Sequence, residues 1–246
     1  MTRNAPRHRT AKARIAIVTT LLAAVLGSSV SVAEAAPADA SFPHYDHARH
    51  SNEIWGGYSD TGGRFTSVSA DWTVPGLDCT ATPSSAVSPW VGLDGFDSPT
   101  VEQIGFDQDC RHGKAEYHPW VEMYPAGPNY FTETMRAGDT IKASVSVTGT
   151  SFTLTESDTT QGWSKTFHRT GTAELDSAEV ILEDLGNKIP AVANFGKITF
   201  RNATANGVPL ASVGTPNSSD LERGSTPLTH NSKLSAGQFT ITWLRA

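Results

Sequence analysis

The feature that most restricts what this chain can fold into is a period of two. Apolar side chains occupy alternate positions in Val68, Ala70, Trp72 and Val74, in Ile141, Ala143, Val145 and Val147, in Ala178, Val180 and Leu182, and in Phe239, Ile241 and Trp243. Successive strand side chains point to opposite faces, so each run predicts a strand with one face in a core. Turn signals separate the runs: Thr61-Gly62-Gly63, Ala126-Gly127-Pro128, Gly149-Thr150, Gln161-Gly162 and Asn206-Gly207. Such spacing belongs to antiparallel sheets packed as a sandwich or closed as a barrel. No later segment carries an apolar stripe at helical spacing, and composition agrees, with 53 Ser and Thr against 19 Lys and Arg. We therefore expect an all-β fold, a β-sandwich forming one domain over residues 51–246. Residues 208–236, rich in Pro, Ser and Gly, read as a long loop region.

The N-terminus reads as an export signal. Arg3, Arg7, Arg9, Lys12 and Arg14 precede an apolar run over 15–26, followed by small residues and the step Ala33-Glu34-Ala35. This predicts a signal peptide over 1–35 and a short leader over 36–50. The apolar run is too short to span a bilayer, so a secreted, extracellular protein with no membrane partner is expected. Cleavage would remove five basic residues and one acid, taking the formal charge from -6 to -10. An acidic chain with no cluster of Lys or Arg past residue 14 is a poor partner for nucleic acid. Export also explains Cys79 and Cys110, the only cysteines. In an oxidising exterior they would form one disulfide, closing a loop of roughly thirty residues and contributing on the order of 3–4 kcal/mol. A monomer is expected.

Four strands resist a purely structural reading. One face of 90–94 carries Trp90, Gly92 and Asp94, and one face of 101–107 carries Val101, Gln103, Gly105 and Asp107. Similarly, 116–124 aligns Glu116, His118, Trp120, Glu122 and Tyr124, and 177–183 aligns Ser177, Glu179, Ile181 and Glu183. If these strands share a sheet, their polar and aromatic faces form a groove suited to an extended polymer. An ordinary solvated face would show the same pattern.

The segments WVGLDG at 90–95, EQIGFD at 102–107, YHPWVEMYP at 117–125 and SAEVILEDL at 177–185 resemble, in the same order, the motifs of the glutamic peptidases, the G1 or eqolisin family. Residues 52–58 and 65–75 are similar to that family's opening strands, and 194–203 to a late Phe-containing strand. The resemblance implies a β-sandwich of two antiparallel sheets, of the concanavalin or jelly-roll kind with the active-site groove on one sheet face, and a secreted endopeptidase that works in acid on polypeptide substrates, without cofactor or metal. It carries the catalytic Gln onto Gln103 and the catalytic Glu onto Glu179, and substrate-binding positions onto Trp90, Asp94, Asp107 and Glu122. The residue types suit that chemistry, because a carboxylate can take a proton from water while an amide donates to the oxyanion that forms. The chain departs from the family pattern at His118, where an acid is usual, at Met123, which replaces an aromatic, and in a shorter loop between Asp94 and Gln103. Its leader is also brief. Glu183 and Asp184 are expected as surface charges.

Rival motifs are weaker. Asp60-Thr61-Gly62 mimics the pepsin-type triplet but has no second copy, and reads as a hairpin turn. A GxSxG elbow and an HExxH motif are both absent. His44, His47 and His50 could collect a metal but sit in a polar segment beside the cleavage site, which favours a mobile leader. Asn202 and Asn217 lie in glycosylation sequons. The alternative from another class is a glycoside hydrolase or carbohydrate-binding module using Glu122, Glu179 and the groove aromatics.

Overall fold

A computed structural model describes residues 1–2, 45, 47–51, 53–185 and 191–246. The expected export signal and most of the expected leader, His44 included, lie outside the described residues. All the strands fall within the compact unit Ala36–Ala246. In chain order they are β1 (Trp55–Thr61), β2 (Ser67–Thr73), β3 (Ser85–Leu93), β4 (Val101–Arg111), β5 (Lys114–Tyr124), β6 (Asn129–Tyr130), β7 (Thr140–Thr148), β8 (Ser151–Asp158) and β9 (Trp163–Thr170). There follow β10 (Ser177–Glu183), β11 (Lys197–Ala205), β12 (Val208–Pro209), β13 (Thr215–Ser219), β14 (Glu222–Arg223), β15 (Thr226–Pro227), β16 (Thr229–Asn231) and β17 (Phe239–Trp243).

Two large antiparallel sheets result. One has the order β13, β1, β10, β3, β4, β5, β6, and the other runs β16, β17, β11, β2, β7, β8, β9 with β12 paired to β11. The expected alternation places Val68, Ala70, Trp72, Ile141, Ala143, Val145, Ala178, Val180 and Leu182 in one core cluster between them. Trp72 bridges the layers by stacking on Phe106 of the facing sheet, with centroids 6.1 Å apart, and meets Phe200, its neighbour in the same sheet, edge-on at 5.3 Å. Each such side chain contributes roughly 1.5–3 kcal/mol by leaving water, which fixes the two sheets face to face.

The structure refines three expectations. Gly149-Thr150 is a tight turn joining β7 to β8, as the sequence predicts. Thr61-Gly62-Gly63 is not a hairpin, because β1 and β2 belong to different sheets and the connection crosses between layers. Asp60, from the pepsin-like triplet, is buried and accepts the N–H groups of Ala211 and Gly214 at 3.1 and 3.3 Å, which anchors the following loop. The stretch 208–236 is more ordered than a loop, since β13 pairs with β1 and β16 with β17. Its strands are short and polar and hold their places through backbone hydrogen bonds, so no apolar period announces them. The Cys79 to Cys110 disulfide is present.

Candidate active site

Strands β10, β3, β4 and β5 are consecutive neighbours, as the groove hypothesis requires. Their even and odd residues divide cleanly. Val91, Leu93, Ile104, Phe106, Val121, Val180 and Leu182 enter the main core, whereas Trp55, Trp90, Val101, Trp120 and Ile181 form a separate cluster on the other side of the sheet. Alternation therefore puts Glu179, Gln103, Glu122 and Asp107 on that second face.

Register then aligns them. Ser59 pairs with Glu179, Glu179 with Gly92, Gly92 with Gln103, and Gln103 with Glu122. These five residues form one row across five strands. Glu179 and Gln103 stand two strand spacings apart, about 9–10 Å between Cα atoms, with a glycine between them. A Cβ on Gly92 would lie 2.8 Å from Trp90 Cζ3 and 3.2 Å from the Gln103 Cβ, so a side chain there would crowd the gap the two groups face across.

The Gln103 side chain is fully buried and its Nε2 donates to Glu122 Oε2 at 2.6 Å. An amide nitrogen carries two hydrogens, so the bond orients the group and leaves a second donor. Burial pushes Glu122 up to about 8, opposed by the nearby His47 charge. Glu179 is fully buried, and neither of its oxygens has a well-formed hydrogen bond among the described residues. Burial holds its pKa well above the ordinary carboxylate range; the nearby Ser177 hydroxyl opposes this, while Asp94, Asp176 and Glu102 reinforce it. The row thus pairs an orphaned carboxyl with a pre-oriented amide.

The other expected positions take definite places. Trp90 donates its indole N–H to Glu183 Oε2 at 3.0 Å, and Trp120 donates to Asp107 Oδ1 at 2.8 Å. Asp107 also accepts from the Ser88 hydroxyl at 2.8 Å and, at very short range, from the Tyr130 phenol. Asp94 differs from the expectation of a cleft-lining acid. It sits at φ 66°, and its oxygens accept the N–H groups of Leu175 and Asp176 at 2.9 and 2.8 Å. It thereby ties the end of β3 to the chain entering β10. Burial pushes Asp94 up to about 6 against those two donors, and burial with the Asp94 charge pushes Glu102 up to about 8.

The sequence reading missed the burial of Glu183 and Asp184 and the place of His47. Glu183 and Asp184 are buried rather than surface charges. Glu183 accepts from Trp90, from the Ala48 N–H at 3.0 Å and, at 2.9 Å, from His47 Nδ1, while Asp184 pairs with Arg223 at 3.7 Å. Glu183 lies four positions after Glu179 and so shares its face, a signal that alternation offered. His47 had none. Its ring stacks on Trp120 with centroids 3.9 Å apart and lies between Glu183 and Asp107, the latter 3.4 Å from Nε2. Burial alone would discharge the ring, yet the two carboxylates outweigh it and hold the pKa well above the imidazole norm. The Trp55 indole N–H, donating to Ala48 O at 3.0 Å, and the His50 backbone N–H, donating to Gly95 O at 2.9 Å, hold the same segment to the groove wall.

Two packed antiparallel sheets, one of them carrying a row of carboxyl and amide side chains on its outer face, define the fold and its candidate site. The model of the Peptidase A4 family matches residues 53–243, and the chain belongs to that family, the glutamic peptidases or eqolisins. Aspergillopepsin-2 from Aspergillus niger is 31% identical over 218 residues, covering 77% of each chain. Among solved structures, scytalido-glutamic peptidase bound to a transition state analog inhibitor is 27% identical with a TM-score of 0.66, covering 78% of this chain and 98% of that one. Aspergilloglutamic peptidase from Aspergillus niger is 32% identical with a TM-score of 0.57, covering 65% and 99%. The chain is accordingly a glutamic-type endopeptidase and acts on polypeptides. This removes the glycosidase alternative, whose carboxyl pair, Glu122 and Glu179, stands three strands apart with Glu122 engaged by Gln103.

Proposed function

We propose that peptide hydrolysis runs through Glu179 and Gln103, in an exported enzyme that works in acid. A water held in the gap above Gly92 attacks the peptide carbonyl while the Glu179 carboxylate takes its proton. The carbonyl oxygen becomes an oxyanion, which accepts a hydrogen bond from the second amide hydrogen of Gln103. Glu179 then returns the proton to the departing amine and the C–N bond breaks, leaving the carboxyl ionised for the next turn. Glu122 keeps the amide oriented, Asp94 positions the strand that carries Glu179, and Trp90 and Asp107 line the groove that receives substrate backbone.

The observation that carries this reading is the single register row, with glycine separating the two reactive groups. Gln does not titrate, so one ionisation governs the base. The basic and apolar segment over 1–35 and the disulfide fit an extracellular enzyme, and no further partner is required of a monomer.

The test is kinetic. Purified protein should cleave a denatured protein at acidic pH and resist both pepstatin-type inhibitors and chelators. Glu179→Gln should abolish turnover, and Gln103→Ala should lower kcat by about 10²–10³, each with unchanged circular dichroism. Wild-type cleavage in either folded variant overturns the assignment.

A further inference from the structure

At the far end of the same sheet face a second group of polar side chains converges. Asp109 on β4 pairs in register with Glu116 on β5, and Asp107 with His118, so Asp109, Glu116 and His118 are mutual neighbours on one face. Each offers one ligand atom, and the three atoms lie within 4.8 Å of one another. His118 Nε2 stands 3.6 Å from Asp109 Oδ2 and 3.6 Å from Glu116 Oε2. Six residues of strand rise, about 20 Å, separate Asp109 from the row that holds Gln103.

Asp109 is fully buried, and neither of its oxygens has a hydrogen-bond partner among the described residues. A buried carboxylate without donors costs several kcal/mol unless something compensates it. A second observation points the same way. The Tyr45 hydroxyl is also buried without a hydrogen bond, and burial together with the Asp109 charge holds its proton in place. Arg111 contributes positive charge from 3.7 Å to Glu116 Oε2 and also acts electrostatically on Asp109, from a side chain that is partly exposed.

We propose that Asp109, Glu116 and His118 bind one divalent transition-metal ion of the zinc class, through one carboxylate oxygen from each acid and one imidazole nitrogen. Two oxygens and one nitrogen leave a fourth position for water or another oxygen ligand, which suits tetrahedral zinc. Calcium would demand six or more oxygens. The tetrahedral edge for such bonds is about 3.3 Å, so the two contacts of His118 need to shorten by only a few tenths of an ångström. The ion would pin the 111–114 end of the β4 and β5 hairpin beside Cys110. It takes no part in peptide hydrolysis, so chelators leave cleavage intact.

The test uses the full secreted protein, stripped of metal and titrated with zinc chloride at pH 7. Calorimetry should read about one equivalent bound at micromolar affinity or better, and the thermal midpoint should rise with zinc by mass action. His118→Ala and Glu116→Gln should each weaken binding at least ~100-fold, with near-ultraviolet circular dichroism confirming the fold; Asp109→Asn should do the same. Variants at exposed histidines, His168→Ala and His230→Ala, should bind as the wild type does. Glu179→Gln should also bind normally, which separates this proposal from the peptidase mechanism. No binding at 100 µM zinc, undiminished binding in folded His118→Ala, or an equal response to calcium chloride overturns it.

Discussion

Glu179 and Gln103 both take Gly92 as their register partner, one from each side. The two side chains therefore face each other across a strand that contributes no side chain to the space between them. On the proposed mechanism, this gap is where one water and one carbonyl would meet.

The glycine can be tested directly. Gly92→Ala would set a methyl 2.8 Å from Trp90 Cζ3, and Trp90 is fully buried and bonded to Glu183. The ring must shift, at a cost of roughly 1–3 kcal/mol, and the gap narrows. We expect a fall in kcat of at least tenfold with a modest loss of thermal stability; wild-type kcat would show that the reacting atoms do not occupy this gap.

On the proposed mechanism the acid limb of the rate profile should follow Glu179, which would act as base only when ionised. Asp176 is one of the like charges that raise its pKa, after burial and Asp94. Asp176→Asn keeps the backbone N–H that Asp94 accepts, removes the charge and lets Glu179 ionise at lower pH. The acid limb should move down by roughly half a pH unit or less. An upward shift would assign that limb to another group.

Stability should run the other way, falling as the pH rises. Glu102 and Glu122 are pushed up to about 8 and Asp94 to about 6, in each case chiefly by burial, and burial also raises Glu156. Folded pKa values above the unfolded ones mean that the native state holds more protons between about pH 4 and pH 8. Stability is full below the unfolded carboxylate value and declines as pH rises through the raised ones. The thermal midpoint at pH 4 should exceed that at pH 8 by roughly 5 °C or more; a higher midpoint at pH 8 would contradict the burial of these acids.

The segment around His47 offers a fourth prediction. His47→Ala leaves Asp107 and Glu183 facing each other without the cation between them, and removing one partner of a buried ion pair costs about 3–5 kcal/mol. Amide exchange over 47–51 should accelerate well beyond that of the β4 and β5 ladders. Equal protection in the variant would show that backbone bonds alone hold the segment.

Much of the site was legible because a strand's alternation is local. Gln103, Glu179, Glu122 and Trp90 were placed on one face by counting in twos, and the same count put Glu183 there, although its charge suggested solvent. Charge misled because burial is decided by what lies opposite: Glu183 is covered by Trp90 and by the His47 segment, which is distant in sequence. Asp94 misled for a related reason, since its left-handed backbone turns the carboxylate toward the chain entering β10. The edge strand β13 has no period to read and exists only because β1 offers it an unpaired edge.

The sequence by itself determined the all-β class, the sandwich and the face on which each candidate side chain would stand, since these depend on a residue's identity and its neighbours along one strand; that Cys79 and Cys110 are bridged came from the structure. Only the tertiary structure decided that Glu179 and Gln103 share a register across Gly92, that His47 fills the groove between two acids, and that Asp109, Glu116 and His118 converge. Register between strands is set by how whole sheets pack and twist, and no local pattern of residues encodes the row in which two distant side chains meet.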